Sequence, residues 1–152
     1  MSAAGGAAHV VPAGFKPLHS MGEFIQHNGP LYLSTQDGRF RLGFRVEARH
    51  TNPMQICHGG MIASFCDMLL PMLAQRDASV GRRFLPTINL QIDYLATVGL
   101  GAWVQGEGEV LRATRSIVFV QGLVTSDGKP AVRASGIFKL GPEFKAPREP
   151  VA

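Results

Sequence analysis

The sequence predicts an α+β fold, a curved antiparallel sheet around one buried helix. Three observations carry that reading. Residues 59–75 form a long apolar run in which Asp67 is the single charged side chain. Segments of period two stand on both sides of that run. Those that follow it are joined by tight turns, which implies antiparallel pairing.

Taken in order, a first helix is expected over 17–27. A short strand, "LYLSTQ" (31–36), then leads through Asp37-Gly38 into "RFRLGFRVEA" (39–48). There Phe40, Leu42, Phe44 and Val46 share one face, and Arg39, Arg41, Arg45 and Glu47 share the other, as in a half-buried strand. The apolar helix comes next. "TINLQIDYL" (87–95) alternates again, with Ile88, Leu90, Ile92 and Tyr94 in phase. "AWVQGEGEV" (102–110) alternates from Trp103, which is expected at a surface or interface. "SIVFVQGLV" (116–124) is apolar on both faces and reads as a central strand. Ser126 to Lys129 forms a turn around Asp-Gly, and "AVRASGIFKL" (131–140) closes the set.

With 152 residues, one domain is expected over 1–152, its core at about 17–140 and flexible tails at 1–13 and 141–152. An apolar share of 45% and a charged share of 17% suit a packed core rather than a disordered chain. The net charge of +4 is scattered as on a solvated surface, without the basic stripe and aromatics of a nucleic-acid face. Cys57 and Cys66 are too few for a disulfide framework and are expected to be free thiols. The N-terminus lacks the basic and apolar regions of a signal peptide. No stretch reaches the roughly 20 apolar residues of a membrane span. The expected location is the cytoplasm.

The chemistry concentrates in "NPMQICHGGMIASFCDMLL" (52–70). A carboxylate in an apolar helix needs a reason, either an arginine partner or a reaction. Gly60, Ala63, Ser64, Pro71 and Ala74 lie three or four residues, or two turns, from Asp67, with Leu70 beside them. They form a stripe of low relief that permits approach of a partner or substrate. Ile62, Phe65, Met68, Leu69, Met72 and Leu73 form the bulky faces. Pro71 cannot donate to the Asp67 carbonyl, so the helix is expected to bend or fray there. His58-Gly59-Gly60 stands at the helix start, where free N–H groups and the helix dipole favour a negatively charged oxygen. Glycines let that oxygen come close. By themselves, two glycines also suit a plain turn.

The set Asn52, His58-Gly59-Gly60, Asp67, then Thr87 and Tyr94, resembles the hotdog-fold acyl-CoA thioesterases, nearest the phenylacetate-pathway and 4-hydroxybenzoyl-CoA branch. The likeness spans roughly residues 30–140. It implies that the Gly59 N–H polarises the thioester carbonyl and that Asn52 assists. His58 would shape the turn, Asp67 would act as general base or nucleophile, and Thr87 would hold the attacking water. Thr87 and Asn89 remain alternatives, because a strand register can slip by one residue. The implied reaction is hydrolysis of an acyl-CoA to a carboxylic acid and free coenzyme A, with no metal or prosthetic group. The implied assembly is a homodimer, or a dimer of dimers, with its sites at the subunit interface.

Spacing supports that assembly. Gly59 and Asp67 are about 12 Å apart along one helix, too far to serve one carbonyl carbon, so the two must come from facing chains. Gly60 and Ser64 are placed against the substrate, and Arg112 and Arg115 are candidates for the coenzyme A phosphates, though turn arginines are commonly just solvated. The same holds for Arg82 and Arg83. A zinc site of Cys57, His58, Cys66 and Asp67 lacks a recognised ligand spacing. Cys57 and His58 are sequence neighbours and do not face each other as nucleophile and base. Two rivals share the fold. A non-catalytic acyl-CoA sensor needs neither Asp67 nor Thr87. A hydratase places a histidine after the acid, and none follows His58.

Overall fold

The computed structural model describes residues 10–19 and 22–145. Of the expected tails at 1–13 and 141–152, residues 1–9 and 146–152 lie outside the described residues. The element order is β1 (Lys16–Pro17), α1 (Gly22–Asn28), β2 (Tyr32–Ser34), β3 (Arg41–Arg45), α2 (Gly59–Ala74), β4 (Thr87–Tyr94), β5 (Trp103–Ala113), β6 (Ile117–Ser126) and β7 (Lys129–Lys139). The first helix is shorter than the 17–27 expected. Lys16 and Pro17 pair instead with Leu33 and Tyr32, which delays the helix to Gly22.

All strand pairs are antiparallel, and the sheet order is β1-β2-β3-β5-β6-β7-β4. The two halves of the chain therefore meet at the β3–β5 pair, where Phe44 stands opposite Val104. β6 is an interior strand between β5 and β7, but it buries alternate residues rather than both faces, and Leu123 is exposed. Asp127 and Gly128 close the β6–β7 hairpin with positive φ at both positions, the left-handed backbone of a tight hairpin turn.

α2 lies across the sheet with Met61, Ile62, Phe65, Cys66, Leu69, Leu70 and Ala74 buried. Its close seat comes from glycines on the helix-facing side of three adjacent strands. A Cβ at Gly106 would stand 2.3 Å from Leu69 Cδ2, and one at Gly122 or Gly136 would stand 3.1 Å from a Leu70 methyl. The missing side chains make a furrow that two leucines fill. This packing corrects the face assignment on α2. Leu70 and Ala74 are in the core, while Met68 and Met72 share the half-exposed side with Ala63, Ser64, Asp67 and Pro71. The sheet covers one side of the helix rather than all of it. The helix continues past Pro71 to Ala74 without a break.

Other parts are held more firmly than expected. Trp103 is 6% exposed. Phe15 meets it edge-on, and the Arg45 guanidinium lies 5.2 Å from its ring centre. Val10 joins that cover, since its carbonyl accepts from Arg45 at 2.6 Å. Phe84 N donates to the Pro142 carbonyl at 3.0 Å, Gly141 N donates to the Phe84 carbonyl at 2.8 Å, and Arg83 pairs with Glu143 at 3.1 Å. Residues 141–145 thus run alongside 82–84 and do not trail freely. Among the described residues no helix is long and apolar enough to cross a membrane.

Candidate active site

The loop ahead of α2 is built around Asn52. Its Oδ1 accepts from Met54 N at 3.0 Å and Ile56 N at 3.4 Å, so the side chain makes the turn that its residue type favours. Gln55 adopts a positive φ of 58° within it. That leaves the Asn52 amide nitrogen, not its oxygen, available to a ligand. Thr51 and Cys57 then bridge, and the His58 N–H bonds to the His50 carbonyl at 2.8 Å.

His58 is the N-cap of α2. Its Nδ1 accepts from Gly60 N at 2.8 Å, satisfying one of the free donors of a helix start. The histidine therefore shapes the turn. The Gly59 N–H has no acceptor among the described residues. Tyr94 belongs to the sequence motif without an expected role. Its hydroxyl donates to the Gly59 carbonyl at 2.7 Å, tying the end of β4 to the glycine turn. The one available signal was its phase, shared with Leu90 and Ile92. Burial, then the charge that Cys66 and Cys57 carry when ionised, raises the Tyr94 phenol above its ordinary value.

Further along the helix, Thr87 Oγ1 donates to Asp67 Oδ1 at 2.6 Å. Thr87, not Asn89, faces the carboxylate. A bulge in the β4–β7 ladder decides this: Thr87 stands opposite Phe138, while Asn89 stands opposite Ile137. The extra residue, Ile88, shifts the alternation by one. Thr87 thereby joins Leu90, Ile92 and Tyr94 on the helix side, and Ile88 is 57% exposed. No cation lies within ion-pair distance of Asp67 among the described residues.

Ser64 Oγ donates to the Gly60 carbonyl at 2.9 Å. Gly60 and Ser64 line a cavity of about 330 Å³ beside His58. Arg112 and Arg115 are not brought to Asp67. They flank the β5–β6 turn, exposed and without an ion pair among the described residues. Ala113, Val118, Phe138 and Thr87 are successive cross-strand partners. This puts the turn at the Thr87 end of the sheet, about 14 Å away at three strand spacings. Cys57 and Cys66 are free and buried. Burial raises the Cys57 thiol to about 11, and burial with the adjacent Asp67 charge raises Cys66 to about 12. Neither is poised as a nucleophile. Among the described residues no cluster of histidine, cysteine or carboxylate side chains could hold a metal ion.

The thioesterase superfamily model matches residues 54–132, more than half of the chain. The chain belongs to that superfamily, and its sheet with one long central helix is the hotdog fold. A Pseudomonas aeruginosa relative named "Putative esterase PA0474" is 25% identical over 134 residues, covering 86% of this chain and 97% of its own. The zebrafish thioesterase superfamily member 2 is similar at a TM-score of 0.64 and 24% identity, over 73% of this chain and 81% of that one. The Streptococcus mutans protein smu.793, solved bound to acetyl CoA, is similar at 0.66 and 21% identity, over 84% and 98%.

Proposed function

We propose that this chain hydrolyses acyl-CoA thioesters in the cytoplasm, with Asp67 as general base or nucleophile and the Gly59 N–H polarising the carbonyl. The observation that carries the reading is the Asp67–Thr87 bond at 2.6 Å on the half-exposed side of α2. A carboxylate with a hydroxyl beside it, and no cation among the described residues, is suited to taking a proton from water that the hydroxyl helps to hold. The free Gly59 N–H at the helix start is a ready donor to a developing oxyanion. Asn52 Nδ2 assists that carbonyl, Gly60 and Ser64 border the substrate, and Arg112 and Arg115 receive coenzyme A phosphates. The acetyl CoA bound by the Streptococcus mutans protein supports a coenzyme A thioester as substrate.

The proposed unit is a homodimer or dimer of dimers. The helical separation of Gly59 and Asp67 requires a second chain, as argued from spacing. β4 also supports this, because it ends the sheet with an open edge and exposes Ile88 and Tyr94, 57% and 54% accessible. An open apolar edge invites a partner. Two measurements test the reading together. Light scattering is expected to give twice or four times the 16.4 kDa chain mass. Thiol release from a panel of acyl-CoAs is expected to be catalytic. Stoichiometric binding without turnover would favour a sensor instead, and a fully active monomer would rule out the shared site.

A further inference from the structure

Among the described residues, the side-chain hydrogen bonds that reach α2 from the sheet both come from β4. Thr87 donates to Asp67, and Tyr94 donates to the Gly59 carbonyl at 2.7 Å. The remaining contact is apolar, leucines seated over the glycine furrow. Packing of that kind holds a helix in place, whereas a hydrogen bond also fixes direction. The two directed bonds land on the two residues to which the hydrolase reading gives the chemistry.

A backbone donor is aimed by the two peptide planes that flank its α-carbon. The His58–Gly59 plane carries the Gly59 N–H, and its carbonyl accepts from Met61 N at 2.9 Å and Ile62 N at 3.2 Å. In the Gly59–Gly60 plane, the N–H donates to His58 Nδ1 at 2.8 Å and the carbonyl accepts from Tyr94. Each polar group of the two planes thus has a partner among the described residues, except the Gly59 N–H itself. Of those partners, Tyr94 alone lies outside the helix and its cap. Two adjacent glycines resist rotation little by themselves, so the plane between them depends on such bonds. The Tyr94 ring also lies against Gly59. A Cβ there would stand 3.3 Å from Tyr94 Oη and 3.4 Å from Cζ. At 54% exposed, Tyr94 adds little to the core, and packing alone gives no reason for its hydroxyl.

We propose that Tyr94 is a positioning residue: its hydroxyl holds the Gly59–Gly60 peptide so that the Gly59 N–H stays aimed at the thioester oxygen. The proposal rests on the reading of that N–H as the donor to the developing oxyanion. Tyr94→Phe keeps the ring and drops the hydroxyl. Its effect on steady-state thiol release is measured in three backgrounds: wild type, Gly59→Ala and Gly59→Pro. In wild type, kcat is expected to fall by about five- to twentyfold, less than for loss of the donor itself. KM should not change, because only a transition-state interaction is weakened. A fall is also expected in Gly59→Ala, which keeps the N–H, and none in Gly59→Pro, which has no N–H to aim. A tyrosine that only braces the fold would act alike in both. An unchanged kcat in wild type, or equal effects in the two Gly59 variants, overturns the proposal. Where Gly59→Pro does not fold, amide hydrogen exchange decides. The Gly60 N–H is expected to exchange about fivefold faster in Tyr94→Phe, the contribution of one net hydrogen bond, with the β6 amides unchanged. Equal Gly60 rates overturn the proposal. If the wild type hydrolyses no thioester, the hydrolase reading falls and this role with it, whereas turnover indifferent to Tyr94→Phe removes Tyr94 alone.

Discussion

Thr87 donates a 2.6 Å hydrogen bond to Asp67 across the gap between edge strand β4 and the central helix. The bond requires the β4 bulge, which turns Thr87 to the helix side. If the hydroxyl orients the carboxylate and its water, Thr87→Val should lower kcat by roughly tenfold or more, as misplacement of a reacting group does. Thr87→Ser keeps the hydroxyl and should retain most of the rate. Equal rates for wild type and Thr87→Val would detach the threonine from the chemistry.

Asp67→Ala distinguishes chemistry from scaffolding. Breaking a buried ion pair costs about 3–5 kcal/mol, but Asp67 is half-exposed and its partner is a neutral hydroxyl. A melting temperature close to wild type is expected, with turnover down by about 10²–10⁴. Asp67→Asn, nearly the same shape but unable to act as a base, should lose as much. Melting curves and kinetics on one preparation check both halves.

Much of this site was legible in the chain, and the limit was register. Phe40, Leu42, Phe44 and Val46 are all buried, as strict alternation predicts. The Asp-Gly turn at 127–128 and the capping place of His58 follow from local chemistry, which a sequence carries. The bulge at Ile88 does not, because it is set by the partner strand β7 rather than by residues 87–95 themselves. Alternation therefore put Ile88 with the apolar set and left Thr87 and Asn89 undecided. The helix faces failed for a similar reason. A small-residue stripe looked like an exposed face, yet Ala74 is in the core. The furrow that seats the neighbouring leucines comes from Gly106, Gly122 and Gly136, on three strands distant in sequence.

That furrow gives a stability prediction. Gly106→Ala places a Cβ 2.3 Å from Leu69 Cδ2, and overpacking of this kind costs typically about 1–3 kcal/mol. Leu69→Ala alone should cost about 2–5 kcal/mol through the cavity it leaves. The double variant should be more stable than the sum of the two losses predicts, because the new methyl occupies part of that cavity. Additive urea midpoints would show that the helix does not seat on Gly106.

The buried thiols predict alkaline sensitivity. Burial holds the folded-state value of Cys57 at about 11 and, with the Asp67 charge, that of Cys66 at about 12, against an ordinary 9.0. Below about pH 9 both thiols are protonated whether the chain is folded or not, and the stability linked to them is fully present. Above it the unfolded chain ionises first, so stability falls progressively until the folded values are passed. Urea midpoints from pH 8 to 11 should decline. Cys57→Ala with Cys66→Ala should flatten that slope, whatever it does to the baseline. An unchanged slope would place the alkaline loss on other groups, such as Tyr94.

Gly59→Pro isolates the backbone donor. Proline is well tolerated at the first position of a helix, where its missing N–H would have no helical partner. It also requires an extended residue before it, and His58 already has φ −61° and ψ 135°. The added Cβ would meet the Tyr94 hydroxyl at 3.3 Å, a contact that an exposed side chain relieves by moving a few tenths of an ångström. The variant should therefore fold and keep the His58 cap on Gly60. Gly59→Ala, which adds the same Cβ but retains the N–H, is the matched control. If the Gly59 N–H polarises the thioester carbonyl, Gly59→Pro should lose about 10²–10³ in kcat relative to Gly59→Ala, the cost of one oxyanion donor. Circular dichroism establishes folding, and thiol release from a common acyl-CoA gives the ratio. Comparable rates in the two folded variants would remove Gly59 from the mechanism and leave the glycine pair as a turn.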